Sequence, residues 1–265
     1  MWNRTPSRVE AFRAGPAAIA ATPSEAVRGA DAVVTLLFDA GAVRETMATA
    51  LPALSPGAIW MQSSTIGPAA ATECAARAES VGVRFVDAPL LGTRDPALQG
   101  RLTVLFAGAP DTRRDLAPVL DAVSMRVVSA GSAAPQASAL KLAANAWIAT
   151  LTAGIGQSLT IAQNLGVDPA LFLEAIHGTA MDSAYAQLKG VNILNRRFAA
   201  QFAVAGILKD IRLARAETPQ LPGVLLQALE ELYDQAVASG HGGEDIAAVW
   251  SSFQLGRDAQ TDHAD

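Results

Sequence analysis

Through the first half of the chain, short apolar runs alternate with segments whose hydrophobic residues recur every three or four positions. AAIAAT (17–22), AVVTLLF (32–38), AIWMQSS (58–64), VRFVDAPLL (83–91), LTVLFAGA (102–109) and MRVVSAG (125–131) read as strands. SRVEAFRAG, AGAVRETMATAL, AAATECAARAESVG and DTRRDLAPVLDAV lie between several of them with helical spacing. Near-continuous apolar strands separated by helices predict a mostly parallel sheet covered on both faces, the doubly wound α/β arrangement. Ligands in that arrangement sit at the carboxyl ends of the strands. From Pro135 onward the strand signal stops, and DPALFLEAI, GILKDIRLARAE, PGVLLQALEELYDQAVASG and EDIAAVWSSF are all helical patterns. The expectation is a sheet domain over 1–132 followed by an all-helical domain over 133–265.

The two are joined by Gln136–Gly166, QASALKLAANAWIATLTAGIGQSLTIAQNLG, a run without proline that closes on Asn-Leu-Gly, a good helix stop. Nothing in it reads as a coiled-coil seam. Leu140, Ala144 and Trp147 can share one face, while Lys141 and Asn145, four apart, project from another. A buried ammonium is costly unless it is paired or used. Taken alone, Lys141 is better accounted for as a lysine whose stem lies on apolar surface with its head in water.

Half of the 265 residues are hydrophobic and 17% are charged, so a large core can be buried. A net charge of −5 argues against a nucleic-acid partner, which needs a basic face. One cysteine, Cys74, excludes an intramolecular disulfide and fits a reducing compartment; its place mid-helix marks a packing residue. His177, His241 and His263 are too far apart for metal-ligand spacing, and no metal site is expected. No run of about 18 uncharged apolar residues and no signal peptide is present, which predicts a soluble, cytoplasmic protein with no membrane partner. The tail RDAQTDHAD reads as frayed.

A sheet of this kind usually opens with a strand, a glycine-rich turn and a helix that seats a dinucleotide pyrophosphate. That unit is absent, and Met1–Thr5 reads as the end of a second strand. An arginine there can hold a 2′-phosphate, favouring NADP over NAD; a solvated residue on a terminal stub is the alternative for Arg4.

Four stretches together, WNRTPSR, QSSTIGP, DAPLLGTRDPALQGRLTVLFAG and LKLAAN with the later LKDIRLA, make the chain resemble the β-hydroxyacid dehydrogenase family. That family includes 3-hydroxyisobutyrate dehydrogenases, glyoxylate/succinic semialdehyde reductases and, more distantly, imine reductases. The likeness runs from the second strand of the dinucleotide domain to the end, so the fold it implies is a Rossmann-type sheet domain lacking its first βα unit, then an all-α domain. The resemblance implies that Asn3, Arg4 and Thr5 bind the adenosine 2′-phosphate of NADPH, with Leu37, Phe38, Asp39 and Val43 on the adenine-ribose side and Thr65 near the nicotinamide ribose. It implies Lys141 as the catalytic acid/base and Asn145 as its partner in orienting substrate. Leu91 and Gly92 would meet the acid or carbonyl end of the substrate, with Lys209 near nicotinamide and substrate and Asp210 anchoring that lysine or its helix. It also implies a homodimer through the long helix. Hydride transfer to a carbonyl builds negative charge on oxygen, and a positioned lysine can stabilise and protonate it or take the proton in reverse.

The chain departs from the family in two places. Leu91 stands where hydroxyacid members carry a Ser donor, which favours a bulkier or more apolar substrate, and Asp245-Ile246-Ala247-Ala248 has Ala where Ser is frequent. Retention of Lys141 favours carbonyl or alcohol chemistry over that of imine reductases. The absent first unit leads to the expectation that this chain is part of a longer product, Met1 standing where related strands have valine. The rival reading is an inactive remnant whose helical half serves as a dimerising or binding module.

Overall fold

The computed structural model describes residues 1–254; the expectation of a frayed tail lies outside them. In the first half, short helices α1 (Ser7–Glu10) and α2 (Pro23–Val27) precede β1 (Ala32–Thr35). Then come α3 (Ala40–Ala50), β2 (Ile59–Gln62), α4 (Pro68–Glu79), β3 (Arg84–Asp87), β4 (Leu90–Leu91), α5 (Arg94–Leu98), β5 (Leu102–Ala107), α6 (Pro110–Asp115), α7 (Ala117–Val123) and β6 (Ser124–Gly131). The second half is helical: α8 (Gln136–Asn164), α9 (Ala170–Ile176), α10 (Ala184–Leu194), α11 (Val204–Glu217), α12 (Val224–Ala236), and a final 3₁₀ segment, Ile246–Phe253. Local signals explain the starts. Asp39, Thr22 and Ser183 each accept a backbone N–H as helix N-caps, and Pro68 occupies the first turn of α4.

Several expectations change. AAIAAT forms no strand, and neither does Met1–Thr5; only two backbone bonds, Ala20 N–H to Met1 O at 2.9 Å and the Met1 amine to Ala18 O at 2.5 Å, join these stretches. SRVEAFRAG is helical only over Ser7–Glu10. DTRRDLAPVLDAV divides into α6 and α7 around Leu116, because Pro118 has no N–H to return to the preceding turn. VRFVDAPLL divides at Ala88–Pro89 into β3 and β4.

The sheet is Rossmann-like and its pairings are mostly parallel, as expected, with an antiparallel return at β5 that makes it mixed. β1, β2 and β3 run parallel, as do β5 and β6, while β5 is antiparallel to β3 and β4. The cause is the connection over residues 92–101, too short for a parallel crossover of a dozen or more residues, so the chain folds back. Val86, Met61, Val104 and Phe106 fill one side of the sheet with Leu116 and Leu120; Trp60, Val43, Met47, Ile66 and Cys74 belong to a second cluster. Burial pushes the Cys74 thiol up to about 11, so it is a packing group and no nucleophile at neutral pH.

The chain forms two compact units, Met1–Gly92 with Pro96–Lys141, and Thr93–Asp95 with the chain from Leu142. The division falls inside α8 because its first turn is held by the sheet unit. Ala137 is buried with Leu105 and Ala107, and Asp87, at the end of β3, accepts the Ser138 N–H and Oγ–H, both at 2.7 Å. Asp87 thus caps α8 from a distant strand. Asp87→Ala removes a cap and orphans two buried donors, a loss of about 2 kcal/mol or more that chemical denaturation would read. Burial raises the Asp87 carboxyl pKa in spite of Ser138. Because the folded-state value exceeds the unfolded one, its stabilising effect is complete below the unfolded value and fades as pH rises through the folded one. The gap between wild type and Asp87→Ala therefore widens as pH is lowered from neutral.

In the helical unit, α8 from Leu142 onward is packed by α11, α12 and the 3₁₀ segment through Ala149, Ala153, Ile207, Ile211, Leu229 and Tyr233. Tyr233 donates to Ala149 O at 3.1 Å. Gly156 sits tightly under the 3₁₀ segment: a Cβ there would lie 3.3–3.4 Å from Phe253 and Trp250. A buried ion pair, Lys189 Nζ to Asp245 Oδ1 at 2.6 Å, ties α10 to the start of that segment.

Candidate active site

In the sheet unit, a cleft of about 380 Å³ is lined by Trp2, Asn3, Arg4, Thr5, Arg8, Leu36, Leu37, Phe38 and the exposed side of α3. Asn3 Oδ1 accepts the Thr5 N–H at 2.9 Å, an Asx turn that sets the backbone around Arg4. Arg4 and Arg8 are exposed on this cleft, and among the described residues neither forms an ion pair. The loops after β1 and β2 are fixed by a buried polar chain. Trp60 Nε1–H donates to Thr35 Oγ1 at 2.9 Å, Thr35 donates to Gln62 Oε1 at 3.2 Å, and Leu37 N–H donates to Ser64 Oγ at 2.8 Å. That chain stations Leu37 and its neighbour Phe38 at one strand end and Thr65 beyond the other.

Asp39 spends its carboxylate on the Ala42 N–H as the N-cap of α3, a local structural duty. Val43 is fully buried in the core and presents no surface to a ligand. Leu91 packs half-buried beside Leu105, Ala107 and Ala137, which accounts for an apolar residue there. Gly92 follows with φ +124°, and a Cβ would lie 2.7 Å from Leu102, so only glycine fits.

In the helical unit, Asn145 is 1% exposed, and its Nδ2–H donates to Asp210 Oδ2 at 2.5 Å. Lys209 Nζ donates to the other oxygen of the same carboxylate, also at 2.5 Å. Asn145 Oδ1 is buried without a hydrogen-bond partner. Lys141 lies one turn before Asn145 on α8 and is partly buried. Sequence reasoning named all four of these residues; it assigned Asp210 to Lys209 or its helix and missed the bond to Asn145. It also passed over Lys189, although a single lysine in the apolar run AYAQLKGVNIL was a usable signal. Asp87 was part of a quoted motif but had no role until Ser138 was seen on it.

Two family models cover nearly the whole described chain. The NAD binding domain of 6-phosphogluconate dehydrogenase matches residues 1–131, and the NAD-binding domain of NADP-dependent 3-hydroxyisobutyrate dehydrogenase matches residues 135–253. The chain belongs to the β-hydroxyacid dehydrogenase family. As a member of this family of NAD(P)-dependent dehydrogenases it carries the nicotinamide-cofactor fold. It is 26% identical to glyoxylate/succinic semialdehyde reductase 2 of Arabidopsis thaliana over 262 residues, 97% of this chain and 73% of that protein. It is 27% identical to the cytokine-like nuclear factor N-PAC of Danio rerio over 258 residues, and there it spans about half of the relative, 56%. Among solved structures, 3-hydroxyisobutyrate dehydrogenase from Salmonella typhimurium superposes with a TM-score of 0.84 at 26% identity, covering 94% of this chain and 90% of that one.

The residues of the first cleft suit such a cofactor: two unneutralised guanidinium groups, a polar turn and apolar residues for an adenine ring. Among the described residues, no group of three or more His, Cys, Asp or Glu could hold a metal, and no helix is long and apolar enough to cross a membrane.

Proposed function

We propose that this chain is an NADP-dependent oxidoreductase that transfers a hydride between nicotinamide and a small hydroxy acid or aldehyde-type carbonyl compound, with Lys141 as general acid/base. The observation that carries the reading is the fixed polar group Asn145–Asp210–Lys209, one helical turn from Lys141, in a helix otherwise built for packing. Asn3, Arg4 and Thr5 would hold the 2′-phosphate, Leu37 and Phe38 would meet the adenine-ribose side, and Thr65 the nicotinamide ribose. When bound, the nicotinamide accepts or supplies the hydride. Lys141 as the neutral amine takes the hydroxyl proton during oxidation; as the ammonium it returns that proton to the carbonyl oxygen during reduction. Asn145 and Lys209 hold the substrate. The Salmonella and Arabidopsis relatives, named for such substrates, support this class.

The test is cofactor binding by thermal shift and titration. Ligands that bind only the folded state raise its melting midpoint. NADPH will raise it more than NADH does, and Arg4→Ala will weaken NADPH by about 10- to 100-fold, the worth of a charge-assisted hydrogen bond, with little effect on NADH. Equal loss for both cofactors would refute the phosphate role.

In this reading the protein works as a homodimer along α8. From Leu142 to Asn164 the helix has no charged residue, yet Trp147 is 61% exposed and Ile161 53%. They lie seven residues to either side of exposed Gly154, so an antiparallel second copy crossing there would set each Trp147 against the partner's Ile161. Trp147→Glu will give a folded monomer in sedimentation equilibrium; an unchanged mass rules this surface out.

A further inference from the structure

An ionised carboxylate can only accept hydrogen bonds, and both oxygens of Asp210 are engaged, one by Lys209 Nζ and one by Asn145. Asn145 must therefore turn its NH₂ toward Asp210, and the opposite end of the amide, Oδ1, is left buried without a donor. An orphaned buried acceptor is a standing cost that a bound donor relieves. We propose that Asp210 is a positioning residue that locks Asn145 with its acceptor free, so that the site selects ligands offering an O–H or N–H donor at that point. The proposal rests on the hydride-transfer reading for the location of the substrate. It adds the polarity with which that site reads it.

The consequence is a preference between otherwise matched ligands. A hydroxyl can donate to Oδ1, whereas an ether, carboxylate or carbonyl oxygen placed there meets a second lone pair. An unmade bond of this kind in a buried site corresponds to about 5- to 150-fold in affinity. The alcohol side of the reaction would thus be held more firmly at Asn145 than the carbonyl side, unless the carbonyl substrate carries a second donor.

Two measurements test this. In uniformly ¹³C,¹⁵N-labelled wild-type protein, a coupling across the hydrogen bond from Asn145 Nδ2 to the Asp210 carboxyl carbon is expected by NMR; its absence, with both side chains assigned, overturns the lock without any ligand. The second uses 3-hydroxyisobutyrate and its O-methyl ether, titrated calorimetrically with NADPH at saturation, a pairing in which no hydride can be transferred. Wild type is expected to favour the hydroxyl compound at least fivefold, and Asp210→Asn, whose own amide can donate to Asn145 Oδ1 and let it turn, to bring the two within twofold. An unchanged ratio in Asp210→Asn assigns the preference to the ether's size and refutes the proposal. Loss of cofactor binding, with the NMR coupling intact, would instead count against the hydride-transfer reading alone.

Discussion

Lys141→Ala will slow turnover by about 10²- to 10⁴-fold, the usual contribution of a positioned acid/base, while the melting midpoint stays near that of wild type. Lys141 is partly exposed on a helix whose packing comes from Leu142, Ala149 and Ala153, so the alanine removes a proton carrier and leaves the core intact. Two companions make the result specific. Lys141→Arg keeps the positive charge but cannot release a proton near neutral pH, so it will not restore turnover if the amine must accept one. The pH profile of kcat/KM will lose the limb that belongs to the lysine in both variants. Assayed on aldehydes and on cyclic imines, the variant also separates carbonyl from imine chemistry: a loss confined to aldehydes agrees with proton transfer to oxygen. Turnover within threefold of wild type would leave Lys141 as a packing residue and move the search to Lys209.

The largest effect on stability will come from Lys189→Met. Lys189 and Asp245 are 3% and 1% exposed, and their ion pair is 2.6 Å long. Asp245 also accepts the Ala247 N–H at 3.1 Å and the Gln201 and Phe202 N–H groups at 3.3 and 3.4 Å. One carboxylate thus starts the 3₁₀ segment and holds the loop that leads into α11. Removing only the lysine strands a buried charge, at a cost of about 3–5 kcal/mol. At about 2–4 °C per kcal/mol for a chain near this size, the midpoint will fall by about 10 °C. Lys189→Met with Asp245→Asn removes both charges and keeps an acceptor for the backbone donors, so the double variant will recover part of the loss. A fall of less than 2 °C in the single variant would show that water reaches Asp245.

Much of this was legible along the chain. Helix α8 runs Gln136–Asn164 because nothing breaks it before Asn164-Leu165-Gly166, and five of six strand readings found a strand. The sixth, AAIAAT, failed because an alanine-rich apolar run carries little preference of its own, and no strand lies beside it to accept its backbone. The antiparallel return of β5 within the mostly parallel sheet was hidden for a different reason. Apolar runs announce burial but not direction, and direction followed from the length of the 92–101 connection. The start of the exposed stripe on α8, Leu140 and Trp147, was legible, but its continuation to Ile161 was not, because Gly154 lies between and carries no hydrophobic signal.

Composition and periodicity by themselves determined a sheet half followed by a helical half. Motif order determined the family, since a motif is read from the residues themselves whatever their surroundings. Only the tertiary structure decided which groups meet: Asp87 under α8, Lys189 on Asp245, and the Asn145 amide turned toward Asp210. Each pair is separated by more than 50 residues. A charge buried in an apolar segment shows in a sequence as an anomaly; its partner is set by packing, which brings distant residues within 3 Å.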